Sequence, residues 1–168
     1  MRVIVAIDGT SGTRDLLAAV AARPWTKDSE FMVLHVLEGL PTDVITQVLE
    51  SGRLKKLKDK YENCTKSMVD SAAAFLSEHL PVYHAVHKVL TSGRVVETIV
   101  RIATDWSADM IVVGCHHRGL AEKLFMGSVA EGLISYAPCS VEILRPETTL
   151  GRGHASGATQ TIASQDAQ

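Results

Sequence analysis

Met1-Arg2-Val3-Ile4-Val5-Ala6-Ile7-Asp8-Gly9-Thr10-Ser11-Gly12 is the stretch on which the fold turns. Val3 to Ile7 is an unbroken apolar run rich in β-branched side chains. Strict alternation marks a half-solvated strand, whereas an unbroken run suits a strand covered on both faces of a parallel sheet. Asp8-Gly9-Thr10-Ser11-Gly12 then supplies turn formers and helix caps. An Ala- and Leu-rich helix follows to about Ala22, and Pro24 stops it.

The same alternation continues outward. Phe31 to Leu37 reads as the second strand. Gly39 to Asn63 is less regular and carries the basic run Arg53-Leu54-Lys55-Lys56-Leu57-Lys58. Such a run reads as a solvated helix face, with an anionic partner as the sharper alternative. From about Tyr61 to His79, Tyr61, Thr65, Met68, Ala72 and Leu76 recur at helical spacing, and Pro81 closes the helix. Cys64 lies beside that stripe and reads as a buried structural thiol. Tyr83 to Leu90 is a third strand, and Ser92-Gly93 turns into a helix with Val96, Ile99, Val100 and Ala103 on one face. Met110 to Val113 is a fourth strand ending at Gly114. A loop from Cys115 to Met126 leads to Gly127-Ser128, which opens a helix with Ala130, Leu133, Ile134 and Ala137 on one face. Ser140 to Leu144 is the last strand, before Pro146. This is an α/β pattern of five parallel strands, doubly wound, with helices on both faces. The orders 3-2-1-4-5 and 2-1-3-4-5 are both open at this stage.

Residues 1–146 therefore form one domain. The tail 147–168 is rich in Gly, Ser, Thr, Ala and Gln, too poor in large apolar residues to offset its ordering entropy, and is expected to be disordered. Of the 168 residues 46% are hydrophobic and 21% charged, the profile of a globular protein. Seventeen basic and nineteen acidic residues leave a charge of −2, so no concentrated basic face for nucleic acid is expected. No apolar run approaches the roughly 18 residues of a membrane span, and the apolar N-terminal run is too short for a signal peptide. Cys64, Cys115 and Cys139 are odd in number and far apart, which argues against a disulfide framework or a CxxC site and for a cytoplasmic location.

Ligands of open α/β sheets bind outside the carboxyl ends of the strands, where strand order reverses. Asp8-Gly9-Thr10 occupies one such end and Gly114-Cys115-His116-His117-Arg118-Gly119 another. Gly127-Ser128 stands at a helix start, where unpaired N–H groups and the helix dipole favour phosphate. Ser128-Val129-Ala130-Glu131 also fits an S-x-x-E capping box, which needs no ligand. Asp8 reads either as a turn residue or as an acceptor for a ribose or base. His35, inside a strand, reads as a satisfied core histidine, and three residues in a row, Cys115-His116-His117, do not suggest a zinc site. No nucleophile–base arrangement is evident, and Gly127-Ser128 lacks the lysine of a P-loop.

Five ordered segments carry a family resemblance. They are Val3-Ile4-Val5-Ala6-Ile7-Asp8-Gly9-Thr10, His35-Val36, Asp109-Met110-Ile111-Val112-Val113-Gly114, Gly127-Ser128-Val129-Ala130-Glu131 and Ala137-Pro138-Cys139-Ser140-Val141. From Met1 to about Pro146 the chain resembles the universal stress protein family, the UspA-like group. The resemblance implies strand order 3-2-1-4-5, the adenine nucleotide alpha-hydrolase-like arrangement, and a homodimer through the last strand. It implies an adenine nucleotide at the switch point: ATP first, with AMP or ADP as alternatives, and magnesium or manganese with the phosphates. The family's G-x2-G-x9-G-[S/T] runs here through Gly114, His117 and Gly127-Ser128, with the spacing intact and His117 in the place of the second glycine. By position, Asp8 and Val36 would face adenosine, and Gly114, His116, His117, Gly127, Ser128 and Val129 would line the phosphates. Histidine enters the left-handed region less freely than glycine, although more readily than most residues, and its ring offers a phosphate donor. Ser140 in place of proline and Glu142 inside the last strand depart from the family's edge pattern. The expected function is regulatory nucleotide binding with at most slow hydrolysis; the alternative is an interaction module with no nucleotide.

Overall fold

Val3, Ile4 and Val5 are wholly excluded from solvent. They belong to strand β1 (Arg2–Ala6), which has a parallel partner on each side, β2 (Glu30–Leu37) and β4 (Met110–Gly114). Val5, for example, stands beside Val33 on one side and Val112 on the other. In the computed structural model the described residues are 1–38, 54–115, 127–145 and 161–162. The remaining strands are β3 (Ala85–Ser92), β5 (Ser140–Leu144) and β6 (Thr161–Ile162), and the sheet order is β3-β2-β1-β4-β5-β6. The first five strands run parallel. Of the two orders open from the sequence, 3-2-1-4-5 is the one adopted.

The helices are α1 (Gly12–Ala21), α2 (Leu54–His79), α3 (Val95–Asp105) and α4 (Ser128–Tyr136). They divide between the two faces because successive strand residues point in opposite directions. Val3, Val5 and Val112 share one core with Leu16, Leu17 and Val20 of α1 and Val69 and Leu76 of α2. Ile4, Ile111 and Val141 share the other with Ile99 and Ala103 of α3 and Ala130 and Leu133 of α4. The unbroken apolar run at the N-terminus thus feeds both layers.

Several expectations from the sequence need correction. Helix α2 starts at Leu54, earlier than Tyr61, so most of the basic run belongs to a helix. Cys64 is exposed; the buried position next to it is Thr65, whose hydroxyl donates to the Tyr61 carbonyl at 2.8 Å. Strand β3 is displaced two residues toward the C-terminus, because His84 N–H closes a turn onto the Pro81 carbonyl at 3.0 Å and Val82 is left in solvent. The tail, expected to lack order, contributes β6: Thr161 and Ile162 pair antiparallel with Glu142 and Val141.

The sheet edges differ. Edge strand β3 carries exposed His87 and Lys88, and Lys88 pairs with Asp70 of α2, holding that carboxyl below the usual carboxylate range. On β5, Val141 faces the α3/α4 core, so the next side chain, Glu142, points into the opposite layer. There it is 1% exposed and makes a two-pronged ion pair with Arg23, just beyond α1. The Arg23 guanidinium also lies 5.8 Å from the Trp25 ring centroid. A buried carboxylate left without its cation is strongly destabilising, whereas an apolar replacement of the pair is not. Arg23→Ala is therefore expected to cost about 3–5 kcal/mol in urea unfolding, and Arg23→Ala/Glu142→Leu to be more stable than Arg23→Ala alone. A single variant within about 0.5 kcal/mol of wild type, the range of ordinary surface changes, would show that Glu142 does not depend on Arg23.

Candidate functional site

The site begins where β1 ends. Ile7 N–H still donates to the Leu34 carbonyl at 2.9 Å, and then the chain turns at Asp8-Gly9. Gly9 has φ +77°, and a Cβ there would stand 2.6 Å from Met68 Sδ, so both backbone and space call for glycine. Asp8 Oδ1 accepts from Thr10 N–H and Thr10 Oγ1, both at 2.9 Å, and from Thr13 Oγ1 at 3.4 Å. The turn role of Asp8 is real, and it fixes the carboxylate at the mouth of a crevice. The buried ring of His35 bonds through Nδ1 to the Ile7 carbonyl at 2.7 Å. A carbonyl only accepts, so Nδ1 carries the proton. His35 is the satisfied core histidine expected from its strand position, and it ties β2 to the last residue before the Asp8 turn.

The other wall comes from β4 and α4. Gly114 ends β4, and the next residue, Cys115, donates its N–H to the Leu144 carbonyl at 2.8 Å. Gly127 is the N-cap of α4, with φ −60° and ψ 152°, and no side chain caps the helix. The capping box anticipated at Ser128-Val129-Ala130-Glu131 is therefore not formed. Ser128 is the first helical residue, one place too late to cap, and Glu131 N–H makes an ordinary helical bond to the Gly127 carbonyl at 3.1 Å. Among the described residues no side-chain acceptor caps the start of α4, and the positive end of its dipole lies at the crevice.

Asp8, Val36, Gly114, Ser128 and Val129 all line this crevice of about 520 Å³, and Gly127 immediately precedes its Ser128 wall. That volume lies within the usual range for small-molecule sites. The floor is apolar, with Leu34, Val36, Ile99 and Val113; the rim is polar. It opens between β1 and β4, where strand order reverses: α1 leaves β1 toward one face and α4 follows β4 on the other. His116 and His117 lie outside the described residues. The sequence did not mark Glu38, Tyr61 or Val95 as site residues, and they also line the crevice. Glu38 directly follows β2, next to a singled-out strand end; Tyr61, expected on the core stripe of α2, is instead exposed and lines the crevice. Among the described residues no three His, Cys, Asp or Glu side chains cluster as metal ligands would.

The profile of the universal stress protein family matches residues 1–145. This chain belongs to the universal stress protein family. A Thermus aquaticus universal stress protein is 27% identical over 143 residues, covering 85% of this chain and 97% of the relative. The solved structure of the Methanocaldococcus jannaschii protein MJ0577 superposes with a TM-score of 0.70 at 22% identity, over 88% of this chain and 97% of that one. Two further universal stress protein structures are nucleotide complexes. One, from Archaeoglobus fulgidus, is bound to dAMP, at 18% identity and TM-score 0.51 over 85% and 96% of the two chains. The other is bound to cAMP, at 18% identity and TM-score 0.55 over 88% and 98%.

The three thiols of this universal stress protein sit in unlike surroundings. Cys64 is exposed, whereas Cys115, in the crevice, and Cys139, before β5, are buried. Burial, with a smaller contribution from Asp109, pushes the Cys139 thiol up to about 11. Only thiolate attacks, so a high value suppresses reactivity at neutral pH. A thiol reagent at pH 8 is expected to modify Cys64 first and to reach Cys139 only on unfolding. Peptide mapping that found Cys139 modified ahead of Cys64 in the folded protein would contradict this placement.

Proposed function

We propose that this chain is a regulatory universal stress protein that binds an adenine nucleotide, ATP first among them, in the crevice between β1 and β4. The observation that carries the reading is the convergence of Asp8, Val36 and Ser128 on that crevice with two glycines, Gly114 and Gly127, around which the described residues leave space. Gly9 and Gly132 have reasons within the protein: a Cβ would meet Met68 at the first and Val96 at the second. At Gly114 and Gly127 a Cβ would meet no atom of the described residues within 4 Å, and neither has a positive φ. Space kept clear at a strand end and a helix start suits close approach of a phosphate to backbone N–H groups. The dAMP and cAMP complexes of structurally similar family members support the same ligand class.

Charge orders the ligand. An ionised Asp8 repels phosphate and accepts from hydroxyls, so the ribose belongs beside it and the phosphates belong at α4. The base then falls toward Val36 and the apolar floor. His116 and His117 would complete the phosphate side. A magnesium or manganese ion would arrive with ATP, held mainly by phosphate oxygens, because Asp8 and Glu38 are the carboxylates among the described lining residues. Binding of this kind calls for no chemistry on the nucleotide. The reading also includes a cytoplasmic location, consistent with three free thiols, and a homodimer formed through β5.

The test is calorimetric titration of AMP and of magnesium–ATP into the full chain and into Gly114→Val and Gly127→Val. Wild type is expected to bind both, and each variant to lose at least about ten-fold in affinity, or 1.4 kcal/mol. Their urea midpoints should stay close to wild type, because a Cβ at either position meets no atom of the described residues. Unchanged affinity in both variants would remove the phosphates from this crevice. No binding by wild type would favour the interaction module with an empty site.

A further inference from the structure

The β5 edge is covered by the chain's own tail. β6 pairs antiparallel with Val141 and Glu142, the centre of β5 (Ser140–Leu144), and it lies beyond residue 145, where the family match ends. We propose that β6 is an intramolecular competitor for this edge, so that the tail sets how readily two copies of the chain pair through β5. The inference rests on the β5 pairing proposed above and adds what controls it.

Three features support it. First, the two edges are protected in different ways. β3 carries an exposed lysine, Lys88, whose charge discourages pairing with another strand. The one charge of β5, Glu142, is turned inward onto Arg23 and cannot serve that purpose. The rest of β5 is Ser140, Val141, Ile143 and Leu144, a strand with no outward charge to refuse a partner. Second, the position of β6 excludes the alternative. Two copies of β5 related by a two-fold axis would pair antiparallel, in an isologous contact. In-register pairing of five-residue strands puts Glu142 opposite its own counterpart, using the central edge groups that β6 already occupies. Third, tethering favours the competitor. A segment tethered to its site within the same chain, here by the 16 intervening residues 145–160, acts at an effective concentration on the order of millimolar. The sequence between the two strands carries Gly151, Gly153 and Gly157 and few large apolar residues. A two-residue ladder, weak in itself, can at that concentration hold off a partner present at micromolar levels, and a stronger or more abundant partner can still displace it.

The experiment compares full-length wild type with full-length Thr161→Pro/Ile162→Pro by sedimentation equilibrium over a dilution series. Proline has no N–H and does not sit within a paired strand. Ser156→Pro, in the tail away from β6, serves as the control. The double variant is expected to dimerise at least ten-fold more tightly than wild type and the control. Its edge-facing amides, Val141 and Ile143, should exchange quickly when dilute and slowly when concentrated. Equal dissociation constants for wild type and variant would overturn control by the tail while leaving β5 pairing intact. No dimer in either protein would overturn the β5 pairing itself. A dimer that weakens in the variant would show β6 joining subunits rather than competing, and would equally overturn the proposal.

Discussion

β1 is hydrogen-bonded to a parallel neighbour on each side and covered by a helix layer on each face, and the placement of the site follows from that. A strand so enclosed has only its ends open. The connection from β1 runs through α1 to one face, and the connection from β4 runs through α4 on the other. The two departing chains leave a gap above the β1–β4 pair that no side chain of the sheet fills. The crevice is thus a consequence of the winding, and the residues bordering it are those that happen to end these two strands and begin these two helices.

What distinguishes this gap is how its walls are finished. On the β1 side the chain makes a tight turn, fixed by the positive φ of Gly9 and by hydroxyl and amide bonds to Asp8. His35 reinforces it from β2 by bonding the carbonyl just before the turn. On the β4 side no side chain of the described residues caps α4. One wall therefore presents a rigidly held carboxylate and the other a run of backbone donors at a positive dipole end. An asymmetry of that kind suits the ligand proposed above, with ribose hydroxyls at one end and anionic oxygens at the other.

Much of this could be read from residue order alone, and the exceptions have physical causes. The apolar runs mark the strands because burial on both faces admits a polar residue only with a partner, as at His35 on the Ile7 carbonyl, so Val3–Ile7 and Phe31–Leu37 are unambiguous. Asp8, Gly114 and Gly127-Ser128 were identifiable because strand ends and helix starts leave turn formers and glycines behind. Errors cluster where helices meet solvent. Cys64 was assigned to the core because a helical stripe has no sharp border, and one residue of rotation takes a side chain outside. The Ser128 capping box failed because its spacing fits a helix beginning one residue later than this one does. Tyr61 and Glu38 reach the crevice through tertiary placement, which leaves no local trace. The ion pair between Arg23 and Glu142 joins residues far apart in sequence; the carboxylate inside a strand was the visible half of it. β6 was missed because pairing at an edge needs backbone groups rather than apolar side chains.

The central claim is that an adenine nucleotide occupies the gap above the β1–β4 pair. Backbone amide shift mapping of the isotope-labelled full chain, titrated with AMP, tests it most directly. The account predicts saturable shifts concentrated at Ile7 to Thr10, at Gly114 and Cys115, and at Ser128 to Ala130, with the opposite ends of the same strands, Arg2 and Met110, unaffected. Shifts that gather at those opposite ends, or saturable binding that leaves the amides of Ser128 to Ala130 unmoved, would contradict it.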